Sequence, residues 1–408
     1  MFRAYSPVLL TRRARPRLVA VFLSAVPLGM LSLTIVLCVQ DWTGTLRAAG
    51  SISALFGLGN AVGLSVQGPL MDRVGPRPIV IAAGILCTTS LIGFGTVGAL
   101  GGPLWVIAVL ALIAGISVPA ITTAVRAWFS HALVQESHRS TSYALLSALF
   151  QGAVTIGPVL VSLSLIVHGP VIAVALGALL IMAATIVYAL ISDRRAPHMG
   201  DGPTASRAPR PSCAPGLRTI LVAASLDGLA VGITALAIPG VMTAAGVATL
   251  AGIAFAALAL GEVLGALVFG SRAWPGHRSI HLPVAQVAVT MVAVLIHLAS
   301  DRPWVLVLVL FGAGLTGAPG SIMKSALLDD VVAGASIARS YSLLVTVGLL
   351  SGAAGNALAG QMVGHTGADG LLVLPPLALG LAALWIAVRR GTLAPGSGRA
   401  ARGTTGSS

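Results

Sequence analysis

Twelve apolar stretches, each long enough to cross a bilayer, fill most of the 408-residue chain and fall into two sets of six. A bilayer core about 30 Å thick requires roughly 20 apolar residues per spanning helix. Charged residues make up only 9% of the chain and hydrophobic ones 56%, whereas an ordinary soluble protein carries about 25% charged residues. Water cannot be the main solvent. Twelve spans of about 21 residues use roughly 250 positions, which leaves short loops, one longer linker and two tails. No soluble catalytic domain fits in the remainder, and the expected class is an all-α membrane protein.

The spans are expected at 18–40, 48–70, 78–98, 103–128, 140–166, 170–191, 218–242, 247–270, 281–299, 303–327, 339–363 and 370–388. Residues 1–17 form a cytoplasmic tail and 18–192 the first six-helix bundle. The segment 193–217, rich in Pro, Gly and Arg, reads as a flexible cytoplasmic linker. Residues 218–390 form the second bundle and 391–408 a disordered tail. Four arginines, Arg12, Arg13, Arg15 and Arg17, precede the first span as in a signal peptide. Its apolar part exceeds the 7–15 residues of a signal core, so it reads as an uncleaved helix.

The net charge of +13 finds its explanation in topology. With the N-terminus inside, only Arg47 and Arg302 among the 24 Lys and Arg fall on the outer side. The positive-inside rule then places both termini in the cytoplasm of a cell whose inner (plasma) membrane holds the chain. The arginines are scattered over loops rather than gathered in one stripe, which argues against nucleic acid. The six tryptophans all fall at or near span ends, where rings prefer the headgroup level. Cys38, Cys87 and Cys213 give no disulfide framework. His131 and His138 lack the spacing of a metal site, and no metal or cofactor is expected. The one lysine, Lys324, reads as a consequence of composition in an arginine-rich chain.

The two halves repeat each other. Leu58-Gly59-Asn60-Ala61-Val62-Gly63 in span 2 recurs as Leu260-Gly261-Glu262-Val263-Leu264-Gly265 in span 8. Ser142-Tyr143-Ala144-Leu145-Leu146 in span 5 recurs as Ser340-Tyr341-Ser342-Leu343-Leu344 in span 11, and Gly157 then matches Gly355. Two matches at nearly one offset indicate a six-helix duplication.

After span 2 the chain reads Gly68-Pro69-Leu70-Met71-Asp72-Arg73-Val74-Gly75-Pro76-Arg77. This resembles the signature loop of the major facilitator superfamily, G-x-L-x-D-R-x-G-R-R, at Gly68, Leu70, Asp72, Arg73, Gly75 and Arg77; Pro76 replaces a basic residue. Gly68 suits a close helix approach, Asp72 suits a helix N-terminus, and Gly75 permits a tight turn. The resemblance implies two pseudo-symmetric six-helix bundles, N-in and C-in, around a central cavity. It also implies alternating access and a loop that clasps the halves on the cytoplasmic side. Residues 270–278 carry a worn copy that lacks the acid.

Span 5 resembles the motif G-x8-G-x3-G-P-x2-G-G of exporters in that superfamily. Ala144, Ala153, Gly157 and Pro158 stand at its first four positions, while Val161 and Ser162 replace its last glycines. Small residues permit close packing, Pro158 can bend the helix, and the motif leans toward export. The arginine that exporters place in span 4 is missing: Ala111 stands four residues before Gly115, and Arg126 lies nearer the cytoplasmic end.

Two carboxylates lie deep in spans. Asp227 is about nine residues into span 7 and Glu262 about fifteen into span 8. A charge at the bilayer centre costs at least ~2.5–3.5 kcal/mol, so such groups face the bundle interior and mark function. Burial can turn a carboxyl into a proton carrier near neutral pH. Both are candidates for proton coupling or substrate contact, and the resemblance places span 7 beside the cavity. Asn60, Gln151, Arg126 and Asn356 are secondary polar candidates for the cavity, with Gln361 as interhelical glue.

The expected function is secondary active transport: proton-coupled efflux of a small, largely apolar compound by a monomer in the lipid bilayer. The alternatives are an uptake symporter or facilitator, or a membrane-embedded sensor or enzyme. Against an enzyme stands the lack of H-E-x-x-H, G-x-S-x-G and G-x-x-x-x-G-K-[ST] clusters.

Overall fold

The computed structural model describes residues 14–132, 136–167, 169–192, 215–270, 278–331 and 337–393. All regular structure among them is helical. The helices are α1 (Ala14–Thr43), α2 (Leu46–Val74), α3 (Pro76–Ala99), α4 (Leu104–Ile116), α5 (Ile121–Ala132), α6 (Glu136–Val167) and α7 (Pro170–Ile191). There follow α8 (Pro215–Ala244), α9 (Leu250–Gly270), α10 (Arg278–Leu298), α11 (Pro303–Val331), α12 (Ile337–Gly370) and α13 (Leu374–Arg389). Proline opens α3 and α7 at the first helical position, where its missing N–H would have had no partner within the helix.

The continuous fourth span expected at 103–128 is broken. Residues 117–120 leave the helix between α4 and α5, and Pro119, which has no N–H to offer a helical ladder, lies in the gap. Ten stretches of the described residues are long and apolar enough to cross a membrane, and Gly152–Ile166 in α6 is a shorter eleventh. One of the ten, Leu343–Leu393, runs through both α12 and α13. Large aliphatic side chains such as Leu190, Leu308 and Val388 are exposed. On a soluble protein such surface would be a liability; in a bilayer it is the face that meets lipid.

Two compact units are formed, one carrying α1–α7 and the other α8–α13. Within the first, α1 packs on α6 and α7, α2 on α4, and α3 on α4 and α7. Within the second, α8 packs on α12 and α13, α9 on α11, and α10 on α11 and α13. These are the same pairings shifted by one half, so the internal repeat of the sequence is also a repeat of packing.

Glycines draw the tightest seams. A Cβ on Gly59 or Gly63 would strike the Leu112 and Ile116 carbonyls of α4, and one on Gly261 or Gly265 would strike the Phe311 and Leu315 carbonyls of α11. The repeated segments 58–63 and 260–265 therefore do the same job in each unit: they let two backbones touch where a larger residue would hold them apart. At one end of the first unit, the buried Arg17 of α1 donates from Nη2 to the Ile191 carbonyl at 3.0 Å and stacks 4.0 Å over the Trp128 ring. A cation on the last carbonyls of α7 complements that helix's dipole.

Candidate functional site

The signature segment straddles the junction of α2 and α3. Gly75 ends α2 and opens α3 with φ 93°, and its N–H bonds the Met71 carbonyl at 2.9 Å. That left-handed conformation is what the glycine supplies. Arg73 lies exposed in the last turn of α2, where positive charge suits the helix dipole. Leu70 is exposed and Arg77 is the second residue of α3. Gly68 departs from expectation: among the described residues a Cβ there would meet nothing within 4 Å. Gly59 and Gly63, one to two turns earlier, make the close approach instead. The Asp72 side chain lies outside the described residues.

In α6, Gly157 sits against α1. A Cβ on it would lie 2.7 Å from the Gly29 carbonyl carbon and Met30 nitrogen and 2.8 Å from the Val26 oxygen. Ala153, one turn earlier, is fully buried, and Pro158 is buried inside the helix. The side chains of Ala144 and Gln151 lie outside the described residues. Ala111 is fully buried, so the place where exporters carry an arginine is packed shut.

The second unit contains a charged group within its helices. Asp227 stands twelve residues after the start of α8, about 18 Å along its axis. Its Oδ1 accepts from Gln286 Nε2 of α10 at 2.6 Å, and its Oδ2 from the Lys324 ammonium of α11. The Lys324 and Asp227 side chains are 12% and 19% exposed, and Gln286 is buried. Lys324 is therefore more than a consequence of composition. It is the counter-ion that makes an ionised Asp227 tolerable in an apolar bundle, because a buried charge is costly unless paired and hydrogen-bonded. The signal was present: the only lysine of the chain lies inside a predicted span, in the same half as a buried acid. Gln286 gave no sequence signal beyond being polar in span 9.

Asp227 bonds Lys324 rather than Glu262. Glu262 is half-buried on the α9–α11 seam, with its backbone nitrogen 2.7 Å from where a Gly314 Cβ would stand. Asn60, its counterpart in the repeat, holds the same place opposite Gly115. Asn356 is buried on α12, its backbone nitrogen against Gly232 of α8, and its Oδ1 has no hydrogen-bond partner among the described residues. Arg126 is half-buried on α5. Among the described residues no cluster of His, Cys, Asp or Glu is arranged to hold a metal ion. The chemistry on offer is a carboxylate held by two donors, one of them an ammonium.

Repeated helical halves with glycine seams, lipid-facing exteriors and a charge pair inside one bundle define a membrane carrier. The family model described as the Major Facilitator Superfamily matches residues 17–226, more than half of the chain, and the chain belongs to that superfamily. The structure is similar to that of the nucleoside transporter NupG, with a TM-score of 0.74 at 13% identity over 93% of this chain and 100% of that one. It is also similar to the human organic anion transporter MFSD10, with a TM-score of 0.67 at 15% identity over 92% of this chain and 99% of that one. No curated protein matches the sequence. The chain is thus a multi-pass membrane protein of a transporter family, and not an enzyme.

Proposed function

We propose that this protein is a secondary active transporter that exports a small, largely apolar compound by alternating access in exchange for protons. In this reading it acts as a monomer in the plasma membrane with both termini cytoplasmic. The observation that carries the reading is Asp227, a carboxylate inside the second unit paired with Lys324 and Gln286. A proton on Asp227 removes its charge and with it the attraction for Lys324, so protonation and the arrangement of α8 and α11 are linked. One charge moving through 100 mV releases ~2.3 kcal/mol, enough to sustain a gradient of about 50-fold in a neutral solute under tight coupling. The Gly157 seam on α1 supports the exporter resemblance of span 5, and the distribution of Lys and Arg supports the orientation.

The test is solute accumulation in everted membrane vesicles energised by a pH gradient. Asp227→Asn is expected to abolish proton-driven accumulation while solute binding stays measurable, and Glu262→Gln to give a smaller defect or a shifted pH optimum. An unchanged pH-dependent rate in the double variant refutes proton coupling through either carboxylate. A second reading is uptake of a polar solute, favoured by the polar trio itself and by the likeness to a nucleoside transporter and an organic anion transporter. Accumulation by right-side-out rather than everted vesicles identifies it.

A further inference from the structure

The fourth span is interrupted where its repeat partner is not, and one side chain of a neighbouring helix bridges the interruption. Gln67 of α2 is 6% exposed. Its Nε2 donates to the Ile116 carbonyl at 3.1 Å and the Val118 carbonyl at 2.8 Å, and its Oε1 accepts from the Ala120 N–H at 3.0 Å. In an unbroken helix the Ala120 N–H would bond the Ile116 carbonyl directly. The carboxamide stands in that bond's place, nitrogen on the carbonyl and oxygen on the N–H. Inside a bilayer no water can satisfy those groups, so the gap at 117–120 requires such a partner.

The second half is an internal control. The offset of 202 that pairs Gly59 with Gly261 pairs Gln67 with Phe269, which has no side-chain donor or acceptor. There α11 runs unbroken through Pro319. A proline at this depth therefore does not by itself break the span; the break occurs where the glutamine is.

We propose that residues 117–120 are a hinge used in the transport cycle and that Gln67 is its positioning residue. Its three hydrogen bonds hold α5 apart from α4 in one state, and their exchange for the direct Ala120–Ile116 bond joins the two into one helix in the other. Gln67 immediately precedes the signature segment, so movement of α5 is passed to the end of α2. This rests on the chain being a transporter, but not on Asp227, protons or solute identity.

The test uses the full chain in lipid nanodiscs, with spin labels at Trp105 and Thr123, both exposed, read by pulsed electron–electron resonance. A joined helix puts 18 residues, about 27 Å, between the labelled backbones; the hinged state gives a shorter distance. Gln67→Leu is expected to raise the ratio of long to short distances at least about tenfold, and Pro119→Ala to do the same. Gln67→Glu, which keeps the acceptor but not the donor, falls between wild type and Gln67→Leu. If Gln67→Leu does not reach the membrane, adding Pro119→Ala restores it, because the backbone can then satisfy itself. A purely structural splint would leave the wild-type distances in place in Gln67→Leu. That outcome, or failure of Pro119→Ala to restore a misfolded Gln67→Leu chain, overturns the proposal.

Discussion

Removing Asp227 alone is expected to cost far more stability than removing both members of the Asp227–Lys324 pair. With side chains 12% and 19% exposed and set among apolar helices, the half-buried pair lies closer to the buried regime, where breaking one partner costs about 3–5 kcal/mol, than to the surface regime below about 1 kcal/mol. Asp227→Asn leaves the ammonium of Lys324 among apolar helices with only the amide, and carries the full penalty. Lys324→Met leaves a carboxylate that keeps its Gln286 bond, which limits the loss to about 1–3 kcal/mol. The double variant replaces two charges with neutral groups of similar size and should fall within about 1 kcal/mol of wild type. The assay is thermal unfolding of the purified protein in detergent. For a unit of this size each kcal/mol moves the midpoint by about 2–4 °C, so Asp227→Asn should lose about 6–20 °C and regain most of it on adding Lys324→Met. Additive losses in the double variant would mean that the pair contributes nothing as a pair, and would refute the account of Lys324 as the counter-ion.

Gly157→Leu should destabilise the first unit by about 3 kcal/mol or more and abolish transport, because any side chain there meets the α1 backbone; Ala144→Gly should leave transport at the wild-type rate. Normal transport by Gly157→Leu in membrane vesicles would remove the seam from the argument. Asp72→Asn should reach the membrane in normal amount, measured by immunoblot of membrane fractions, yet transport several-fold more slowly. Its loss from the membrane would point instead to a folding role.

Span positions were legible because each span is one long apolar run with basic residues at alternate ends, and length in lipid leaves little choice. The repeat was legible too, since segments 58–63 and 260–265 carry glycines whose spacing has one use, a backbone crossing. The break at 117–120 was not. Pro119 lies in span 4 much as Pro319 lies in span 10, and only one of them interrupts its helix; the difference resides in Gln67, which is remote in sequence and silent until the helices are packed. Lys324 was missed for a related reason. Near a span end a lysine satisfies the positive-inside rule equally well whether it reaches the headgroups or turns inward to an acid, and only packing decides. Asp227, like Glu262, stood out because a carboxylate at that depth has no comparable innocent explanation.

Arg17 makes the order of synthesis matter. Its acceptor, the Ile191 carbonyl, lies 174 residues downstream, so the guanidinium of the first helix reaches its final partner only after the last helix of the first unit has been made. At about 5–20 residues per second, the ribosome needs roughly 10–35 s to cover that distance. Throughout that interval α1 is in the membrane without this bond, although Trp128, over which Arg17 also stacks, is made earlier. The bond between the first and last helices of the first unit is therefore among the last of its contacts to become available during synthesis.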